Sequence, residues 1–293
     1  MTLLSSSGVQ SGIGSLQLSF FGAGSMAEAI VRGILDRGLI EPDHISVINR
    51  QNSARLEELA QRYGVQAPPD EEAKLAMLRH ADVIFLAMKP KDAAAAIKQL
   101  RQLVTADTLI VSVIAGLSIR TIETLLEQPM AIVRTMPNTS STIGLGATGI
   151  SFSESVTTEQ RKLAETIFQA VGLTSIVEEP LLDVVTGVSG SGPAYVYYLM
   201  EGMITAGRQL GLTEEAAREL TVQTVLGAAH MVQATNENPA DLRRKVTSPN
   251  GTTQAAIETL DEHNFSQAIV HAIDRAAKRA AELGADIERN ATS

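Results

Sequence analysis

Cysteine is absent from all 293 residues, which excludes disulfides, thiolate nucleophiles and cysteine-ligated metals and favours a reducing compartment. Tryptophan is absent as well, and aromatics make up only 3% of the chain, too few for the stacking platforms that single-stranded nucleic acids need. Basic residues are in the minority. Lys and Arg number 24 against 33 Asp and Glu, and the net charge of −9 argues against a general nucleic-acid binder while leaving room for a small basic pocket. No apolar run approaches the roughly 18–20 residues of a membrane-spanning helix. The N-terminus has no Lys or Arg before Arg32 and no solid apolar block, so it does not read as a signal peptide. A soluble, cytoplasmic protein without nucleic-acid or membrane partners is expected.

What is present, 44% hydrophobic against 19% charged residues, excludes a disordered chain and permits large cores. At roughly 100–200 residues per domain, the length predicts two domains. Residues 1–15, rich in Ser and Gly, read as a flexible tail. Strand-like runs follow at Leu16–Phe21, Ile45–Ile48, Asp82–Met88, Thr108–Ile114 and Ala131–Thr135. They are β-branched or solidly apolar, as parallel strands buried on both faces are. Helices are predicted between them over Ser25–Asp36, Ser53–Tyr63, Asp92–Leu103 and Ser118–Glu127, with Asp92 and Ser118 as N-caps. The alternation predicts an α/β domain over residues 16–178, a Rossmann-type doubly wound sheet. Past Glu178-Glu179-Pro180 the strand-like runs stop. Helical patterns over Gly192–Leu210, Thr213–Ala234, Pro239–Val246, Thr252–Glu262 and Ser266–Leu283 predict an all-α second domain, residues 179–293. Gly202, Gly207 and Gly227 interrupt its apolar faces, where they would let helices approach closely.

The strongest local motif is Gly22-Ala23-Gly24-Ser25-Met26-Ala27, placed between the first strand and the first helix. It fits the dinucleotide pattern: Gly22 for the tight turn, Gly24 for close approach of a pyrophosphate, Ala27 for helix–strand packing, and helix amides for the phosphates. An NAD-preferring fold would place Asp or Glu at the end of the second strand. This chain has Asn49 and Arg50 there, and an arginine pairs with a 2′-phosphate, so NADP(H) is favoured over NAD(H). Ala87-Met88-Lys89-Pro90 and Val113-Ile114-Ala115 end two further strands and would line the same crevice, with core packing as the plain alternative for Met88 and Ile114. Pro137 would aim Asn138 after a third strand. In the second domain, the turn Val246–Thr253 offers helix amides and the hydroxyls of Ser248, Thr252 and Thr253, an arrangement suited either to a carboxylate or simply to a capped helix start. His44, His80, His230, His263 and His271 show no ligand spacing, so no metal site is expected.

The segments Asp82–Pro90 (DVIFLAMKP), Ile132–Thr139 (IVRTMPNT), Asp183–Tyr195 (DVVTGVSGSGPAY) and Val246–Thr253 (VTSPNGTT) resemble the pyrroline-5-carboxylate reductase family, in its order and over nearly everything after Leu16. One departure is Asn250, where the family usually has a glycine; asparagine tolerates the left-handed conformation. The resemblance implies hydride transfer from NAD(P)H to the C=N carbon of L-1-pyrroline-5-carboxylate, a cyclic imino acid, giving L-proline. It carries cofactor binding onto Gly22–Ala27, Asn49, Ala87–Pro90 and Val113–Ala115. Lys74 falls where some members contact the cofactor. It carries substrate binding onto Glu179, Thr252 and Thr253, with Ser248 and Gly251 in the same turn. Thr253 is the candidate catalytic hydroxyl, bonded to the ring nitrogen. The resemblance also implies a homodimer formed through the helical domain and assembled into a decamer.

Two other readings compete. A dehydrogenase of the β-hydroxyacid kind shares the architecture but uses a lysine on the first long interdomain helix, and Tyr195–Leu210 contains none. A non-catalytic dinucleotide sensor would need no substrate turn such as VTSPNGTT.

Overall fold

The structure, a computed structural model, describes residues 13–50 and 52–292. Most of the expected flexible tail, residues 1–12, lies outside the described residues. The chain divides into two compact units, residues 1–190 with 275–293, and residues 191–274. The first unit thus runs past the compositional change at residue 178 and regains the end of the chain.

The first unit holds a seven-stranded sheet of β1 (Leu18–Phe21), β2 (Ile45–Ile48), β3 (Val83–Leu86), β4 (Leu109–Ser112), β5 (Ala131–Met136), β6 (Gly146–Phe152) and β7 (Gly172–Ile176). Their order is β2-β1-β3-β4-β5-β6-β7, and among the described residues β5–β6 is the one antiparallel pairing. The first four strands are buried along their whole length, which is why they read as apolar runs. Alternate residues feed two cores. Leu18, Phe20, Val83 and Phe85 enter one, and Phe21, Ile84 and Leu86 the other. Phe20 and Phe85 are register partners and stack with ring centroids 4.3 Å apart.

Helices α1 (Ser25–Asp36), α2 (Ser53–Tyr63) and α6 (Thr158–Gln169) cover the first core. Helices α3 (Glu71–Arg79), α4 (Pro90–Leu100) and α5 (Ile119–Leu126) cover the second. Ser118 caps α5 as expected, accepting from the Thr121 amide at 3.0 Å. Asp92 does not cap α4. That helix starts at Pro90, whose fixed φ suits the first helical position, and Lys89 is the extended cap residue. Asp92 instead lies in the first turn, where its charge favours the helix terminus. A short helix α7 (Leu182–Val185), which packs on β5 and β6, runs into a π-helical turn (Thr186–Gly190).

The second unit contains α8 (Gly192–Gln209), α9 (Glu214–Thr235), α10 (Pro239–Lys245) and α11 (Thr252–Glu262). The last helix, α12 (Phe265–Thr292), begins in the second unit and ends in the first. Thr213 caps α9 through the Ala216 amide. Gly207 does serve a close helix approach, since a Cβ there would lie 3.1 Å from the Ala217 Cβ. Within this chain a Cβ on Gly202 or Gly227 meets nothing within 4 Å. Among the described residues, Ala217 and Thr221 are the only buried ones in this unit, and Tyr197, Tyr198, Leu220 and Met231 stand more than half exposed.

Candidate active site

Chain order sends β2 to one side of β1 and β3 to the other, so the carboxyl ends of β1 and β3 flank the crevice where ligands bind in open α/β sheets. Gly22 sits there with φ +123°, and a Cβ on it would fall 2.3 Å from the Ala87 carbonyl carbon. Its backbone bridges the neighbouring strands, donating to Ile48 O at 2.8 Å. Gly24 differs. A Cβ there meets nothing within 4 Å, so the backbone is open to an incoming group. Gly24 is also the N-cap of α1, extended and without a side-chain cap. The first amides of α1 therefore remain available to an anion. Ala27 is fully buried, which lets α1 lie close on the sheet.

This turn opens on a cleft of about 530 Å³ lined by Gly22, Ala23, Gly24, Asn49, Arg50, Ala87, Met88 and Lys89. Arg55, Lys74 and Lys91 line it too, so a chain of net charge −9 places five cations around one crevice. Arg50 is largely exposed and makes a loose ion pair with Asp92 at 4.0 Å. Asn49 holds the loop, accepting from the Asn52 amide at 2.8 Å, while Asn52 caps α2 through the Arg55 amide at 3.0 Å. Lys74 is mostly buried, bonded to Glu71 at 2.8 Å, with its ammonium 5.7 Å from the Phe21 ring centre. An open glycine backbone, uncapped amides and an exposed arginine fit a 2′-phosphorylated dinucleotide.

Other expected cofactor residues do not line this cleft. Ser25 is exposed, and Met26, Ala27 and Pro90 turn toward helix starts and core. Just past β4, Ile114 is buried in the second core while Val113 packs against the first. Beyond them Gly116, φ +77°, is crowded by α12, so a Cβ there would lie 2.7 Å from Ala280 O. The Asn138 amide donates to Ser189 O at 3.2 Å and accepts from the Ala147 amide at 3.3 Å. Glu179 accepts through Oε1 from the Ile119 amide at 2.7 Å and from Arg134 at 3.2 Å, and Arg134 also reaches Asp183 at 2.8 Å. Neither Arg55 nor Arg134 stands out in the sequence, because nothing local marks an arginine whose partners are tens of residues away.

In the second unit, Asn250 adopts φ +57°, the left-handed conformation expected of it. The Gly251 amide donates to Ser248 O at 3.0 Å, and Gly251 caps α11 with no side-chain bond. Ser248 and Thr252 are exposed and Thr253 is half-buried. This too is a helix start with free amides, now flanked by hydroxyls.

Fold and crevice together define a dinucleotide-dependent oxidoreductase with a helical second part. Comparison with known proteins makes this more specific. A family described as "Pyrroline-5-carboxylate reductase dimerisation" matches residues 179–283, and one described as "NADP oxidoreductase coenzyme F420-dependent" matches residues 17–116. The chain is 42% identical to pyrroline-5-carboxylate reductase 2 of Bacillus subtilis strain 168 over 279 residues, 94% of this chain and 99% of that protein. It aligns with the structure of a pyrroline-5-carboxylate reductase from Coxiella burnetii at TM-score 0.84 and 39% identity, covering 92% and 98% of the two chains. A Plasmodium falciparum pyrroline carboxylate reductase structure with NADP bound gives TM-score 0.82 at 26% identity, over 93% and 100%. The chain belongs to the pyrroline-5-carboxylate reductase family.

Proposed function

We propose that this chain reduces the C=N bond of L-1-pyrroline-5-carboxylate to give L-proline, the last step of proline biosynthesis, with NADPH as preferred donor and NADH as the lesser one. The observation that carries this reading is the family relationship over 94% of the chain, which spans both the glycine turn and the Val246–Thr253 turn. The bound dinucleotide supplies the hydride. The open Gly24 backbone and the α1 amides hold its pyrophosphate, and Arg50 meets the 2′-phosphate. Asn49 and Ala87–Lys89 flank its remainder.

The substrate carboxylate rests on the first amides of α11, which have no side-chain cap, with the Thr252 hydroxyl, and Thr253 hydrogen-bonds the ring nitrogen. Glu179, also expected on the substrate, has one carboxylate oxygen taken up by Arg134 and the Ile119 amide. A cyclic imine is already electrophilic, above all when protonated, so positioning and exclusion of water leave little for an acid–base residue to do. The β-hydroxyacid alternative is not favoured, since α8 carries no lysine.

The reading extends to a homodimer formed through the second unit, whose two buried residues are too few for a core of its own. Assembly into a decamer and a cytoplasmic location belong to the same proposal. Among the described residues no helix is long and apolar enough to cross a membrane. NADPH oxidation by the purified protein, with pyrroline-5-carboxylate, ketones and 2-oxoacids offered separately, tests the function. Turnover of a ketone or 2-oxoacid but not of the imine would refute it. Light scattering on the same preparation tests the assembly.

A further inference from the structure

One charged cluster beside the cleft has no part in the reading above. Glu28 lies in the first turn of α1, just past Gly24. Its carboxylate accepts hydrogen bonds from the Arg55 guanidinium, from Arg62 at 3.1 Å and from the Tyr63 hydroxyl at 2.8 Å. Arg55 reaches Glu58 as well, at 2.8 Å, and its Nε donates to the carbonyl oxygen of Ala23 at 3.2 Å. The Arg55 side chain is four-fifths buried and lines the cleft. A single guanidinium therefore grips the middle residue of the glycine turn and faces the one acidic side chain in the first turn of α1.

Two consequences follow from elementary chemistry. The peptide unit is planar and trans, so a carbonyl held in one direction sends the next amide N–H the opposite way. Fixing the Ala23 carbonyl toward α2 thus aims the Gly24 N–H away from α2. The second consequence is electrostatic. A helix start attracts anions, but an unpaired carboxylate in its first turn competes for the same field and repels a phosphate. Burial alone would discourage ionisation of Glu28, yet the hydrogen bonds from Arg55 and Tyr63 and the nearby arginine charges hold its carboxyl below the ordinary value. It is an anion, and its neighbours neutralise it.

We propose that Arg55 is a positioning residue for the dinucleotide pyrophosphate: it orients the Ala23–Gly24 peptide and neutralises Glu28 beside it. Its action falls on the part common to NADPH and NADH. Arg50, by contrast, acts on the 2′-phosphate.

The test is Arg55→Met, which keeps much of the aliphatic length and removes both the charge and the donors. Calorimetric titration of the protein without substrate should show Kd raised roughly tenfold for NADPH and for NADH alike. In turnover, KM for the cofactor should rise while kcat at saturation stays within about twofold. Adding Glu28→Gln to Arg55→Met should recover part of the lost affinity, because it removes a carboxylate left with Arg62 as its cation and no longer balanced on the cleft side. Should Arg55→Met fail to fold, Arg55→Lys serves, with a smaller loss shared by both cofactors because charge remains while the Ala23 bond is lost. A loss confined to NADPH would make Arg55 a direct 2′-phosphate ligand and overturn the proposal. Unchanged Kd with a lowered Tm would reduce the cluster to a structural tie, and no recovery in the double variant would remove the charge argument. Because titration needs no substrate, these outcomes are independent of which imine the protein reduces.

Discussion

The side-chain amide of Asn138 donates to both the carbonyl oxygen and the hydroxyl of Ser189, at 3.2 and 3.4 Å. The Ser189 hydroxyl passes on to Ala147 O at 3.2 Å, and the Ala147 amide returns to Asn138 Oδ1 at 3.3 Å. This closed ring joins the turn after β5, the start of β6 and the π-helical turn Thr186–Gly190. Such turns rarely persist without outside support and collect at functional sites. Gly190 adds a contact, since a Cβ there would lie 2.5 Å from the Met136 methyl. Asn138→Ala leaves part-buried polar groups unpaired, which costs about 1–3 kcal/mol. A lowered Tm with nearly unchanged NADPH affinity is expected. An unchanged Tm with weakened NADPH binding would place Asn138 on the cofactor.

Gly22 and Gly24 should respond in opposite ways. Gly22→Ala puts a Cβ into the Ala87 carbonyl at a backbone angle that disfavours L side chains, so it lowers Tm. In Gly24→Val the new Cβ meets nothing within 4 Å and the backbone is already extended, so Tm should stay near the parental value while cofactor affinity falls. Thermal melts beside NADPH titrations check both. Parental affinity in Gly24→Val would remove Gly24 from the site.

Arg50→Ala removes a charge-assisted partner worth about 1.5–3 kcal/mol. KM for NADPH should rise by roughly one to two decades while KM for NADH changes little. An unaltered NADPH/NADH preference would leave Arg50 as a solvated loop residue.

Thr253→Val keeps the branched shape and loses the hydroxyl. If that hydroxyl serves the imine nitrogen in the transition state, kcat falls, by about the lower end of the 10²–10⁴-fold typical of such assistance. The deficit should shrink as pH falls, because the imine then arrives already protonated. Thr252→Val should mainly raise KM. Steady-state kinetics across the neutral range separate the two, and parental kcat throughout in Thr253→Val would assign Thr253 to the helix start alone.

Glu28 supplies a pH test. Burial would raise its pKa, but the hydrogen bonds from Arg55 and Tyr63 and the charges of Arg55 and Arg62 together bring it below the ordinary value of 4.5. A carboxyl whose pKa is depressed by folding stabilises the protein above its unfolded-state pKa and loses that contribution as pH falls through the folded-state one. Glu28→Gln should therefore lower Tm near neutral pH, with the gap to the parent closing as pH drops below about 4.5. A gap that persists in acid would trace the effect to shape instead of charge.

Strands β1 to β5 and helices α1, α2 and α11 were legible in the sequence because burial on both faces, or on one helical face, writes itself into local periodicity. The Gly22–Ala27 turn and the Ser118 cap were legible for the same reason, each being decided within a few residues, whereas the left-handed Asn250 was implied by the family resemblance. Strands β6 and β7 were not. Gly146–Phe152 carries two glycines, and β7 is an edge strand with Leu173 and Ile176 exposed, so neither shows a continuous apolar run. Helix α6 carried an unread signal, the Thr157–Gln160 capping box ahead of Leu163, Ala164, Ile167 and Phe168. Tertiary structure alone decided that Gly22 is crowded and Gly24 open, that Arg55 meets Glu28 and Ala23, and that Arg134 gathers Glu179 and Asp183. It alone brought α12 back to the first unit, where a Cβ on Gly284 would lie 2.3 Å from Gly116 O. Local sequence sets which element a residue joins through propensity, capping and hydrophobic period. Which distant side chain it then meets depends on how whole layers pack, and no short-range pattern carries that information.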